Sequence, residues 1–301
     1  MRGVKLKPMQ QLKLAAFRVL ALLPVRPLSA LGAFLGARHA KRGIAHKRAW
    51  IERLHRNFEH HAAVADRQLR EEKIVDFIGN VGSVYIEFLV LQKMAAKGHA
   101  VMVGEENLAG IERPVIIVSC HLGNWELVGL AVQKLGRPLC DIYAPPADPV
   151  RQVLAQEARL RWKWPLELVD GAASNALRRV DRAAARGDNV LLFIDEEKDG
   201  YVSAPSLGRD IPYAGNRWYA ARLAVKHGMA ILPVYVERVG AADYRVNVEP
   251  LIEVPREGEP RAQAQMLADA LDARLNAWIK PRLEQWMNFA YFDAAKKRPQ
   301  G

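Results

Sequence analysis

From residue 115 onward, short apolar runs alternate with stretches of helical period, and this alternation constrains the fold more than any other feature of the chain. Residues 115–119, 139–143, 167–169, 190–194, 231–236 and 244–248 read as strands. Residues 125–135, 149–160, 172–186, 217–227 and 261–284 read as helices between and after them. Strands that alternate with helices build a mostly parallel sheet covered by helices, so the expected class is α/β. The 301 residues, half of them hydrophobic, suffice for one such domain plus a helical addition.

The addition is expected at the N-terminus. Residues 1–56 hold thirteen Lys or Arg against one acid, Glu52, so the net charge of +11 resides there and the remainder is nearly neutral. Residues 9–23 and 28–38 read as two short helices split at Pro24–Pro27, and residues 41–62 as a third, basic helix whose histidines look solvated. The chain is therefore divided into a basic amphipathic region, 1–62, and an α/β domain, 63–301. Cations interleaved with Leu12, Leu14, Phe17, Leu20, Leu31, Phe34 and Leu35 suit an anionic membrane surface. The longest apolar run of this N-terminal region, 19–25, is far below the roughly 20 residues of a membrane span. Asp66 opens a long helix in which Ile74, Phe77, Ile78, Val81, Tyr85, Phe88 and Leu89 recur at helical spacing and should face the core. Two cysteines, Cys120 and Cys140, make no disulfide framework, and no Cys/His set has zinc spacing.

The strand at 115–119 ends on Ser119-Cys120-His121-Leu122-Gly123-Asn124-Trp125-Glu126. This places an imidazole at the carboxyl edge of the sheet, where open α/β folds bind ligands. Asn124 is expected to cap the helix that follows, and Glu126 to lie in its first turn, near the positive end of the helix dipole. A carboxylate beside a histidine fixes its tautomer and stabilises the imidazolium, which is what a general base requires. An H-x-x-x-x-E spacing also arises often by chance. Cys120 points to the opposite face from His121, which argues against a Cys–His dyad, and no G-x-S-x-G elbow supports a serine hydrolase. No nucleic-acid reading module accompanies the basic arm.

The segment SCHLGNWELVG resembles the H-x-x-x-x-(D/E) motif of lysophospholipid acyltransferase-like proteins, and more narrowly the lauroyl/myristoyl acyltransferases of lipid A biosynthesis. LLPVRPLSALGAFLG, DIYAPPADPVRQVLAQEARLRWKW and LLFIDEEKDG with the block up to LPVYVER extend the likeness over roughly residues 12–285. Ala144 stands where the family usually has arginine, Asp195-Glu196-Glu197 where it reads D-(Q/H)-D, and Arg18 interrupts a stretch that is often a longer apolar anchor.

The resemblance implies a glycerol-3-phosphate acyltransferase-like fold. It also implies transfer of a fatty acyl chain from acyl-acyl carrier protein to a hydroxyl of a membrane glycolipid, such as a lipid A precursor. His121 is then the general base and Glu126 its support, with Asn124, Arg159, Arg161, Asp195, Glu196 and Asn216 as candidate substrate contacts and Arg217 beside Asn216 at the next helix. No metal or other cofactor is implied, because the thioester carries the activation. The expected partners are the carrier protein, docked on Arg151, Arg159, Arg161 and Lys163 or on Arg178, Arg179, Arg182 and Arg186, together with the lipid acceptor and an anionic membrane. Trp162 and Trp164 suit either the membrane interface or the core. The expected location is the cytoplasmic face of the bacterial inner membrane. A lysophospholipid or aminolipid acceptor is the alternative within the same chemistry.

Overall fold

The computed structural model describes residues 6–160, 165–198 and 200–293. Helix α1 (Pro8–Leu20) ends before Pro24, as expected, but α2 runs unbroken from Val25 to Ala45. Pro27 sits in its first turn, where a missing N–H leaves no intrahelical bond unmade. The break comes instead at Lys47, whose backbone is left-handed (φ 48), before α3 (Ala49–His61). His55 is buried in α3, contrary to the solvated histidines expected there, and burial is the chief cause that lowers its pKa. Asp66 caps α4 (Arg67–Glu87), its carboxylate accepting from Leu69 N at 2.7 Å. Helix α5 (Leu91–Ala96) follows after a 3₁₀ turn. The Arg67–Ala96 stretch is long and apolar enough to cross a membrane, yet 56% of its most apolar window is buried within the protein.

The rest alternates as expected: β1 (Ala100–Val103), β2 (Val115–Ser119), α6 (Gly129–Leu135), β3 (Leu139–Tyr143), α7 (Pro149–Leu160), β4 (Leu166–Asp170), α8 (Ala176–Arg186) and β5 (Asn189–Phe193). A small hairpin, β6 (Glu197–Lys198) and β7 (Tyr201–Val202), precedes α9 (Gly215–His227), β8 (Ala230–Arg238), β9 (Tyr244–Val248) and α10 (Pro260–Ile279). The seven-stranded sheet has the order β1-β9-β8-β2-β5-β3-β4 and is parallel except between β8 and β9. β2 and β5 lie side by side, with Ser119 opposite Phe193, so the segments that follow them emerge together. β1 lay unrecognised in the sequence because only four residues pair, and they are at most half-buried.

Alternate residues of the central strands feed two cores. Ile116, Val118, Val190 and Leu192 pack under α8, α9 and α10. Val115, Ile117, Leu191 and Leu139 pack with residues of α6 and α7, and also with Val25 and Leu28 of α2. The expected boundary at residue 62 is therefore crossed by a shared core. Helices α2 and α4 meet at backbone distance: a Cβ at Gly36 would strike the Ile78 carbonyl, and one at Gly82 the Gly32 carbonyl. α1 is tied to the α7 region by the ion pairs Lys13–Asp148 at 2.5 Å and Arg18–Glu157 at 2.6 Å.

A buried ion pair joins these layers. Glu87, at the end of α4, is fully buried and accepts from Ser29 Oγ at 2.6 Å, Tyr244 OH at 2.5 Å, Asn124 Nδ2 at 3.0 Å and Arg238 Nη2 at 3.2 Å. Removing one partner of a buried pair leaves the other charge uncompensated. Glu87→Ala is expected to lower unfolding free energy in urea by roughly 3–5 kcal/mol. A loss below about 1 kcal/mol would show that the network adds nothing that water cannot supply.

Candidate active site

β2 delivers His121 to the carboxyl edge of the sheet, and β5 delivers Asp195 beside it. His121 Nδ1 lies 2.9 Å from Asp195 Oδ1, and the backbone N–H of His121 donates to Oδ2 at 2.9 Å. Because the carboxylate only accepts, Nδ1 carries the proton and the Nε2 lone pair is free. Nε2 has no partner among the described residues, and the side chain keeps 28% of its exposure. The ring is wedged between Trp125, at 5.3 Å between centroids, and Phe193, at 4.7 Å.

Asp195 is itself fully buried and held by the end of the chain. Trp286 Nε1 donates to Oδ2 at 2.8 Å, and Asn288 Nδ2 donates to the Asp195 carbonyl at 2.6 Å. The same segment clamps the histidine turn: Met287 N–H donates to the His121 carbonyl at 2.9 Å and Gly123 N–H to the Gln285 carbonyl at 3.1 Å. Gly123 has φ +55, and a Cβ there would meet the Val236 carbonyl at 2.8 Å, so the turn requires glycine. Burial disfavours a charged His121 ring, but the carboxylates of Asp195, then Glu126 and Glu196, outweigh it, and the pKa is raised above its ordinary value.

Glu126 is not the carboxylate on the imidazole. Residues 125–128 form a 3₁₀ turn before α6 rather than the first turn of one long helix, and this directs Glu126 toward α7. There Arg159 grips it with two bonds, Nη2 to Oε1 at 2.7 Å and Nε to Oε2 at 3.2 Å. Asp141 Oδ2 lies 4.0 Å from Arg159 Nη1. Burial drives the Asp141 carboxyl up to about 7, with Arg159 offsetting only part of that.

The other expected contacts are placed differently from the sequence reading. Asn124 makes no side-chain cap bond; it is fully buried, pinned by Glu87. Asp195 has no exposed surface for an acceptor. Glu196 accepts from Asn216 N–H at 2.6 Å, so the protein's own carboxylate fills the anion position at the start of α9. Burial raises the Glu196 carboxyl to about 7. Asn216 Nδ2 is spent on the Phe193 carbonyl at 2.9 Å, and Arg217 is buried, donating to the Ala268 and Pro212 carbonyls. Arg161, Trp162, Lys163 and Trp164 lie outside the described residues. Arg179 and Arg186 are paired with Glu167. α8 also packs on the face of the sheet opposite the cleft described next.

That cleft runs between the sheet, α6 and α7, and Trp125 and Phe193, the two rings that flank His121, are part of its wall. It is lined by Val128, Gly129, Val132, Leu139, Leu166 and Leu191, with Glu126, Asp141 and Arg159 as its polar wall. The apolar lining with few convergent polar groups is that of a small-molecule site.

An imidazole oriented by a carboxylate, with no Nε2 partner among the described residues and flanked by two rings of an apolar cleft, has the geometry that a general base requires. The family model for bacterial lipid A biosynthesis acyltransferases matches residues 6–290, and the chain belongs to that family of acyl-transferring enzymes. Among solved structures, the chain is similar to the 1-acyl-sn-glycerophosphate acyltransferase of Thermotoga maritima, at 13% identity and a TM-score of 0.40 over 84% of this chain and 97% of that one. No curated protein matches the sequence.

Proposed function

We propose that the protein moves a fatty acyl chain from acyl-acyl carrier protein to a hydroxyl of a membrane glycolipid, such as a lipid A precursor. The observation that carries this is His121, its Nδ1 held by Asp195, its Nε2 without a partner among the described residues, and its ring against Trp125 and Phe193 of the apolar cleft. Nε2 takes the proton of the acceptor hydroxyl as that oxygen attacks the thioester carbonyl. Asp195 stabilises the imidazolium formed. The tetrahedral oxyanion collapses, the C–S bond breaks, and the imidazolium returns its proton to the departing thiolate. The Glu126–Arg159 pair acts at one remove: Glu126 adds negative charge near the ring, and Arg159 holds Glu126 in place. The thioester supplies the driving force, so the step calls for no cofactor.

The assay is transfer from radiolabelled acyl-carrier protein to a lipid A precursor, with a lysophospholipid and an aminolipid as competing acceptors. Label in diacyl phospholipid or in acylated aminolipid, with none on the glycolipid, would replace this acceptor by the alternative one.

The same reading places the protein on the cytoplasmic face of the inner membrane. Met9, Leu12, Val19, Leu22, Phe34 and Leu35 of the first two helices and their connection are exposed apolar side chains set among Lys and Arg. Such a surface combines apolar burial with attraction to anionic lipid. The triple variant Leu12→Glu, Leu22→Glu, Phe34→Glu is expected to leave the unfolding midpoint unchanged and to lose sedimentation with vesicles containing anionic lipid. Undiminished sedimentation would move the contact surface elsewhere.

A further inference from the structure

We propose that the cleft is built for a hydroxylated acyl chain and that Asp141 is the residue that reads the hydroxyl. This rests on the acyl-transfer reading and adds a substrate class to it. A plain hydrocarbon would satisfy Val128, Val132, Leu139, Leu191 and Phe193. It would not satisfy Asp141, which lines the same cleft and is only 5% exposed. Among the described residues, the buried Asp141 Oδ1 has no hydrogen-bond partner, and Oδ2 has as its ion-pair partner Arg159 Nη1, 4.0 Å away. Arg159 cannot serve Asp141 better, because its Nε and Nη2 are committed to Glu126.

The register fixes where along a bound chain this oxygen acts. Asp141 stands opposite Leu191 on β5, two residues below the Phe193 that touches the imidazole. It therefore lies about 7 Å deeper along the strands than the reacting end. At that depth it meets the body of the chain and not the thioester. A hydroxyl both donates and accepts, so it pairs with Asp141 whether the carboxyl is ionised or protonated. A methylene does neither and leaves a buried polar atom unsatisfied, which is the arrangement that discriminates most strongly between a ligand and its deoxy analogue.

The test is calorimetric titration of the full chain with dodecanoate, 3-hydroxydodecanoate and a mid-chain hydroxydodecanoate. The mid-chain hydroxy acid is expected to bind at least about tenfold tighter than dodecanoate. Asp141→Leu is expected to abolish or reverse that preference, and Asp141→Asn, whose amide still pairs with a hydroxyl, to retain it. Equal binding of dodecanoate and the hydroxy acids by the wild-type chain overturns the inference without any variant. So does a preference that survives Asp141→Leu. Tightest binding by 3-hydroxydodecanoate would overturn the assigned depth. Transfer is measured in parallel from the same three chains as carrier-protein thioesters. No transfer from any of them, with the binding preference intact, would sink the acyl-transfer reading and leave the cleft's preference standing. Transfer of all three with equal binding would sink the inference alone.

Discussion

His121→Ala is expected to lower the rate of acyl transfer by roughly 10³-fold, within the range spanned by lost general bases. The ring is part-exposed and its Nε2 bonds to nothing in the described residues, so the fold should survive its loss. The measurement is kcat on a lipid A precursor at saturating donor, with circular dichroism as the check on folding. If kcat stays within threefold of wild type, the proton goes elsewhere and the mechanism fails.

Asp195→Asn is expected to be nearly as damaging, for a reason that geometry makes specific. His121 N–H and Trp286 Nε1–H both donate to Oδ2, so the amide oxygen of asparagine must take that position. Its NH₂ then faces Nδ1, which must become an acceptor, and the proton moves to Nε2. The base is occupied, and a drop of about 10³–10⁴ in kcat follows, as when a triad aspartate elsewhere is made an amide. The pH profile separates this from a merely structural defect. Transfer needs the neutral ring, and His121 titrates above its ordinary value near 6.5. Wild-type activity should fall as pH drops through that raised value. In the variant the chief charge raising it is gone, so the acid limb of the residual activity should move down. An unmoved limb would mean that Asp195 does not act on the ring. The linked stability has the opposite sense: protonated His121 is favoured in the folded state, so its contribution is complete below the unfolded pKa and is lost as pH rises through the folded one.

His121 was legible in the sequence because its position follows from one local fact, an apolar strand that ends where the histidine begins. The parallel order was legible for the same kind of reason, since runs of period two and period 3.6 alternate. Its partner was not legible. Glu126 is five residues from His121, whereas Asp195 is 74 residues away and reaches it only because β2 and β5 are neighbours. Sequence spacing ranks local pairs first, but the adjacency of strands is a property of the assembled sheet. Trp286 and Asn288 were further out of reach, because they arrive from the opposite end of the domain. Their one signal was an indole and an amide in Gln285–Phe289, where the 261–284 helix was expected to have ended. The sequence shows Arg159 as a cation and suggests a ligand for it. Its real partner depended on a 3₁₀ turn that turns Glu126 toward α7.

Val25, Leu28 and Ser29 give α2 a second significance. An N-terminal region that faces lipid is usually treated as a detachable tether, to be trimmed when a soluble enzyme is wanted. Here trimming would open the core beneath α4 and strip one donor from Glu87, whose other donors include the asparagine of the histidine turn. Under the lipid contact proposed for α1 and α2, a water-soluble form would have to be made by repainting their outer side chains, with every helix left in place.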